Sequence, residues 1–197
     1  LNAASPPRSD TVADLTARLA RLRVPLGFLF ALLVVGLAQP TGQTLIAGSL
    51  VAAVGEALRI WAAGHLNKSR EVTSSGPYRW FAHPLYVGSS IMGVGLATAS
   101  GSVAVALLIA AYLGATITAA VRSEEAFLRG KFGDGYERYR RGEIDRRDAA
   151  ASSRRFALSQ AIANHEYRAV LGVLVAVLLL CLKAAYNGTF WRAAGTQ

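Results

Sequence analysis

The chain has 197 residues, enough for one domain, with 53% hydrophobic and 17% charged residues and a positive mean hydropathy. That balance excludes an ordinary soluble core and points to a membrane protein. The formal net charge is nevertheless +9, and the single cysteine, Cys181, excludes an internal disulfide and any cysteine-based metal cluster.

Residues 1–14 are polar, contain Pro6 and Pro7, and are expected to lack a fold of their own. From Asp14 to Arg23, the pattern DLTARLARLR sets Leu15, Leu19 and Leu22 against Arg18 and Arg21. This is a basic amphipathic arm suited to a membrane surface. Five apolar runs follow, at about Leu22–Ala38, Thr44–Leu66, Leu85–Ala99, Ser102–Val121 and Arg168–Tyr186. Spanning about 30 Å of hydrocarbon takes on the order of 20 helical residues, and only helices satisfy their own backbone there. The expected fold is therefore all-α: an integral-membrane bundle of about five transmembrane helices. The pair Ser100-Gly101 makes the third and fourth runs a tight hairpin.

The basic residues set the expected topology. Arg8, Arg18, Arg21 and Arg23 precede the first run, and Lys68, Arg70 and Arg79 lie between the second and third. Eleven Lys or Arg lie between Arg122 and Arg168, whereas the loops at 39–44 and 99–102 carry none. This alternation puts the N-terminus, the 67–84 loop and the 122–168 segment on the cytoplasmic side. Abundant Arg and Ala hint at a GC-rich bacterial genome, and hence a bacterial inner membrane. The positive charge then serves topology and lipid contact, and nucleic-acid binding is not expected because no binding motif accompanies it. The expected divisions are a basic arm (1–23), a membrane core (24–141), a charged linker with a short interfacial helix (142–167), and an extra C-terminal span with its tail (168–197).

Two polar clusters share the predicted cytoplasmic side. One is GPYRWFAHPLYVG, Gly76–Gly88, and the other is RSEEAFLRGKFGDGYERYR, Arg122–Arg140. A hairpin makes the start of the third run a neighbour of the end of the fourth. His83 and Tyr86 should therefore face Glu124 and Glu125. Paired carboxylates at a membrane edge suit a positive centre or hydroxyl groups, and Tyr and His add hydrogen bonds and stacking faces. Pro84 fits a first helical turn, where its missing N–H is harmless. Gly88, Ser89, Ser90, Gly93 and Gly95 let a ligand or a second helix come close. His65, His83 and His165 are scattered without HxH or HExxH spacing, so no metal site is expected.

Together these stretches resemble the isoprenylcysteine carboxyl methyltransferase family and the related phospholipid methyltransferases. The shared pattern comprises Gly76-Pro77-Tyr78-Arg79, His83-Pro84-Leu85-Tyr86-Val87-Gly88, Glu124-Glu125 and the run from Phe132 to Tyr139, with LRIWAAGHL before it. The resemblance covers about residues 44–141. It departs at Ala82, where the family usually carries a basic residue, and after Tyr139.

The resemblance implies an integral-membrane enzyme that uses S-adenosylmethionine in a cytoplasm-facing pocket. Tyr78, His83, Tyr86 and Gly88 would line one wall, Glu124 and Glu125 the other, and Tyr136 could cover the cofactor. The acceptor would be lipid-like or prenylated and would enter sideways between helices. Arg59 is a charge inside an apolar run and is costly unless used or paired. It is expected either to meet the acceptor's polar head or to pair with Glu56, and these two are the candidate catalytic residues.

Plainer readings stand beside these. Glu125 and Arg129 are four apart and can form a simple helix-surface pair. Glu56 and Arg59 can merely neutralise each other. His65 reads as an interfacial residue and His165 as solvated; Trp61, Trp80 and Trp191 read as interface anchors. Two other functions remain open: an NADPH-dependent membrane sterol-type reductase, disfavoured by Leu85 and the Glu pair, and a non-catalytic subunit docked to a membrane-complex partner.

Overall fold

The computed structural model describes residues 29–66, 75–133 and 155–191. The basic arm and Tyr136 lie outside the described residues. The chain divides into two compact units, Leu1–Leu37 and Ala38–Gln197. In the first, residues 29–37 form a helix, α1. The second holds α2 (Gly42–His65), a 3-10 turn (Gly76–Arg79), α3 (Pro84–Ser100), α4 (Val103–Phe132), α5 (Leu158–Ala163) and α6 (Tyr167–Tyr186). No strand occurs among the described residues.

Local chemistry sets the helix ends. Thr41 caps α2: its hydroxyl accepts from the Thr44 backbone N–H at 3.3 Å, and the Thr44 hydroxyl accepts from the Thr41 N–H at 2.9 Å. This reciprocal pair satisfies N–H groups that the helix itself leaves open. Pro84 opens α3, with His83 as its cap residue. Gly101, at φ +60°, turns the chain from α3 into α4, and the Ser102 hydroxyl accepts from the Val105 N–H at 3.5 Å. The Gln39 N–H donates to the Ser100 carbonyl at 2.7 Å, which joins the loop before α2 to this hairpin turn.

Three described helices are long and apolar enough to cross a membrane: α2, α4 over Val103–Lys131, and α6. The 17 residues of α3 rise only about 25 Å, less than the hydrocarbon thickness. It is short because the polar stretch through His83 takes up its entry. Val103 and Leu107 on α4, and Leu171, Leu174 and Leu178 on α6, stand exposed. Apolar surface on this scale calls for lipid rather than water. The chain is built as an integral membrane protein.

The tightest seam is between α2 and α3. A Cβ on Gly55 would lie 2.7 Å from the Gly88 carbonyl oxygen, and one on Gly95 would lie 2.6 Å from that of Gly48. The two backbones touch because small residues recur on both facing sides: Gly48, Ala52 and Gly55 against Gly88, Gly95 and Ala99. This is the small-residue packing that substitutes for a hydrophobic drive between helices in lipid.

Residues 155–166, within the segment read as a linker, are held against the end of α2. The Asn164 amide donates to the carbonyls of Ala63 at 2.8 Å and Leu66 at 3.0 Å, and the Gln160 amide donates to Leu66 at 3.1 Å. The Ala157 N–H donates to the Gly64 carbonyl at 3.2 Å. Carbonyls at the C-terminal end of a helix lack intrahelical partners, and these polar side chains supply them. His165 then adopts φ +62°, a left-handed turn, and α6 starts directly after it. At its far end the Thr189 hydroxyl donates to the Pro40 carbonyl at 2.7 Å. Pinned at both ends, α6 runs antiparallel to α2.

Candidate functional site

The first site cluster forms where α3 begins and α4 ends. His83 Nδ1 lies 3.6 Å from a Glu124 carboxylate oxygen, and its Nε2 lies 3.6 Å from one of Glu125. Helical spacing explains how one imidazole meets both acids: adjacent residues on α4 straddle the ring. Tyr86, one turn into α3, stands 5.8 Å from His83 ring to ring and beside Glu124. Glu125 is shared, since its other oxygen lies 3.6 Å from Arg129 Nη2.

The electrostatics follow from this geometry. The Glu124 carboxylate, with Glu125 behind it, holds the His83 pKa above its ordinary 6.5, against the opposing effect of burial. His83 Nε2 is buried and makes no hydrogen bond among the described residues. At 3.6 Å Glu125 is an ion-pair neighbour rather than a hydrogen-bond partner, so this nitrogen can still take a closer acceptor from a ligand.

The imidazolium–carboxylate pair contributes stability that is full below the ordinary histidine pKa of 6.5 and is lost as pH rises through the raised folded value. The melting-temperature difference between wild type and His83→Gln should shrink as pH is raised from 6 toward 9. The pair is partly exposed, so its contribution is at most about 1 kcal/mol. A constant difference across that range would show that the pair is not coupled to protonation.

A second cluster is buried between α2, α3 and the start of α6. Arg59 Nε donates to Glu166 at 2.7 Å, its Nη1 donates to the Ser89 hydroxyl, and a Glu56 oxygen lies 3.7 Å from Nε. Glu56 and Glu166 are each only 7% exposed. Both Glu56 oxygens are buried and make no hydrogen bond among the described residues. The clusters are close in the chain: His83 and Tyr86 occupy the entry of α3, and Ser89 sits in the next turn. The Ser89 hydroxyl also donates to the Leu85 carbonyl at 2.9 Å.

The structure thus brings His83, Tyr86, Glu124 and Glu125 together, and Glu56 with Arg59. Gly88 faces α2 instead: a Cβ there would lie 2.6 Å from Arg59 Cγ and 2.8 Å from the Gly55 carbonyl oxygen. Tyr78 is buried in the 3-10 turn. His65, read as interfacial, is buried at 6% exposure. Its Nδ1 lies 2.9 Å from the Trp61 carbonyl oxygen, and its ring lies under Gly76. His65 thereby braces the glycine that starts the motif stretch, whose φ is +58°. Glu166 escaped the sequence reading. The available signal was that it is the sole acid in residues 158–186, placed directly before an apolar span.

Comparison with known proteins gives one family and relatives of two kinds. The phospholipid methyltransferase family model matches residues 31–135. The chain is 33% identical to a protein-S-isoprenylcysteine O-methyltransferase of Schizosaccharomyces pombe, over 51% of this chain and 42% of that protein. It is 30% identical to the cobalt-zinc-cadmium resistance protein CzcN of Cupriavidus metallidurans, over 63% and 61% of the two chains. It is 34% identical to the nickel-cobalt-cadmium resistance protein NccN of Alcaligenes xylosoxydans xylosoxydans, over 43% and 39%. The chain thus spans between 39% and 61% of the length of these relatives. No solved structure matches it. The matched segment covers more than half of the chain and holds every residue of both clusters except Glu166, and on that ground the chain belongs to the phospholipid methyltransferase family.

Proposed function

We propose that the chain transfers a methyl group from S-adenosylmethionine to a lipid-like or isoprenoid-linked acceptor at the cytoplasmic face of a membrane. The observation that carries this reading is the His83 ring held between Glu124 and Glu125 inside the family-matching segment, its buried Nε2 making no hydrogen bond among the described residues. The residue set suits the cofactor: carboxylates take a positive centre or ribose-type hydroxyls, and His83 Nε2, 3.6 Å from Glu125, can take one closer polar group. Tyr78, Tyr86 and Tyr136 complete the cofactor wall in this reading, and Gly88 keeps α3 close enough to α2 to hold it in shape.

S-Adenosylmethionine supplies an electrophilic methyl group when bound. The chain's own task is to align the acceptor with it and to keep water away, which is where rate enhancement comes from in a simple displacement. Arg59 and Glu56, on α2 opposite Ser89 one turn further along α3, face the acceptor's head. The acceptor's hydrocarbon chain lies along α2. Gly42, Ser49 and Glu56 are seven residues apart and share one stripe of that helix. The first two line an open, largely apolar groove of about 470 Å³ with Leu45, Ile46, Cys181 and Phe190. Ser49 is about 10 Å along the helix from Glu56, within reach of a prenyl or acyl chain.

Calorimetric titration of the detergent-purified protein with S-adenosylmethionine tests the reading. Wild type should bind, and Glu124→Ala and His83→Ala should each weaken binding by about tenfold or more, as expected when a charged or hydrogen-bonding partner is lost. Both variants should melt as cooperatively as wild type. Unchanged affinity in both would reject the site, and binding of NADPH alone in a parallel titration would reject methyl transfer.

A further inference from the structure

The buried cluster on α2 carries more than a pairing of Glu56 with Arg59. Among the described residues, two carboxylates face one guanidinium, and both carboxylates are more than nine-tenths buried. Arg59 is already engaged, by Glu166 through Nε and by Ser89 through Nη1. Glu56 is the member left able to accept, since neither of its oxygens has a hydrogen-bond partner among the described residues. A buried acceptor calls for a donor, and a residual negative charge in a poorly screened site repels an anion.

We propose that Glu166 is a specificity-determining residue: by engaging Arg59 it makes the cluster refuse acidic headgroups and admit donor-bearing neutral or cationic ones. The proposal rests on the reading that this cluster meets the acceptor's head. Without Glu166, Arg59 would be a buried cation balanced by Glu56 alone and free to turn its fork toward a carboxylate. With Glu166 in place that option is closed by a repulsive element, the most economical way to discriminate between partners of similar size. Glu166 lies beyond residues 31–135, so the discriminating charge comes from outside the segment shared with the family. The turn at His165 and the docking of Asn164 and Gln160 on the end of α2 are what aim it at Arg59.

The test is binding of two single-chain amphiphiles of equal length, dodecylamine and dodecanoate, to the full chain in detergent at neutral pH. Wild type should bind the amine more tightly than the carboxylate. Glu166→Gln keeps the shape and removes the charge, and it should reduce that ratio by about tenfold, with Glu166→Asp retaining it. Glu56→Gln should move the ratio in the same direction, which keeps the test decisive should Glu166→Gln fail to fold. A wild-type preference for the carboxylate would overturn the proposal. So would a ratio unchanged within about twofold in both charge-removing variants. Titration of the same preparations with S-adenosylmethionine separates the two readings. Cofactor binding with an unmoved ratio rejects this proposal alone, whereas a shifted ratio without cofactor binding rejects the methyltransferase reading alone.

Discussion

Replacing Arg59 with methionine should destabilise the protein by about 3–5 kcal/mol, the range seen when one partner of a buried ion pair is removed. The cost lies less in the lost attraction than in what is left behind. Glu56 and Glu166 are both buried, and without the guanidinium they would face each other as uncompensated carboxylates. Thermal unfolding in detergent, followed by tryptophan fluorescence, should show a large drop in melting temperature. The triple variant Glu56→Gln, Arg59→Met, Glu166→Gln should recover most of the loss, because burying neutral groups of similar shape costs far less than stranding a charge. If Arg59→Met melts with wild type, the cluster is not electrostatically coupled and the account of Glu166 loses its basis as well.

The other large effect is expected at the α2–α3 seam. Leucine at Gly55 or Gly95 has no room, because the nearest atoms are backbone atoms of the facing helix and cannot rotate away. Overpacking typically costs 1–3 kcal/mol where side chains can adjust, and about that or more is expected here because two backbones must separate. The seam also sets the position of Ser89 and Arg59, so separation should disturb both clusters. Gly114 and Gly172 are the controls: a Cβ at either meets nothing within 4 Å. Alanine there should be neutral or stabilise by up to about 1 kcal/mol through helix propensity. Equal losses at the seam and control positions would show that the packing described does not set stability.

The sequence made much of this legible through a few strong local signals. Pro84 marked the start of α3, Ser100-Gly101 marked the hairpin, and that hairpin was enough to bring His83 to Glu124 and Glu125. Five apolar runs were readable, but hydropathy does not report where a helix starts relative to a polar motif. Three described helices meet the length and composition of a span, and α3 is shorter. Gly88 was ambiguous for a physical reason: a glycine in a motif can make room for a ligand or for a neighbouring helix, and here it faces α2. The hidden part was Glu166. Its bond to Arg59 crosses 107 residues, and neither periodicity nor spacing can register a pairing at that separation. The segment around it reads as solvated linker because its polar residues are spent on the carbonyls at the end of α2, and that use is visible only in three dimensions.

That long-range bond also gives the protein an order of manufacture. α2 is synthesised early, and among the described residues made by then Glu56 is the acid that faces Arg59. The second counter-charge is made 107 residues later, together with the amides that close the end of α2. A chain halted before Glu166 would carry every residue of the family-matching segment, yet would leave Arg59 without its 2.7 Å carboxylate partner and with only Glu56 at 3.7 Å, a standing cost in hydrocarbon. The buried cluster is therefore complete only once the segment that carries Glu166 has been made.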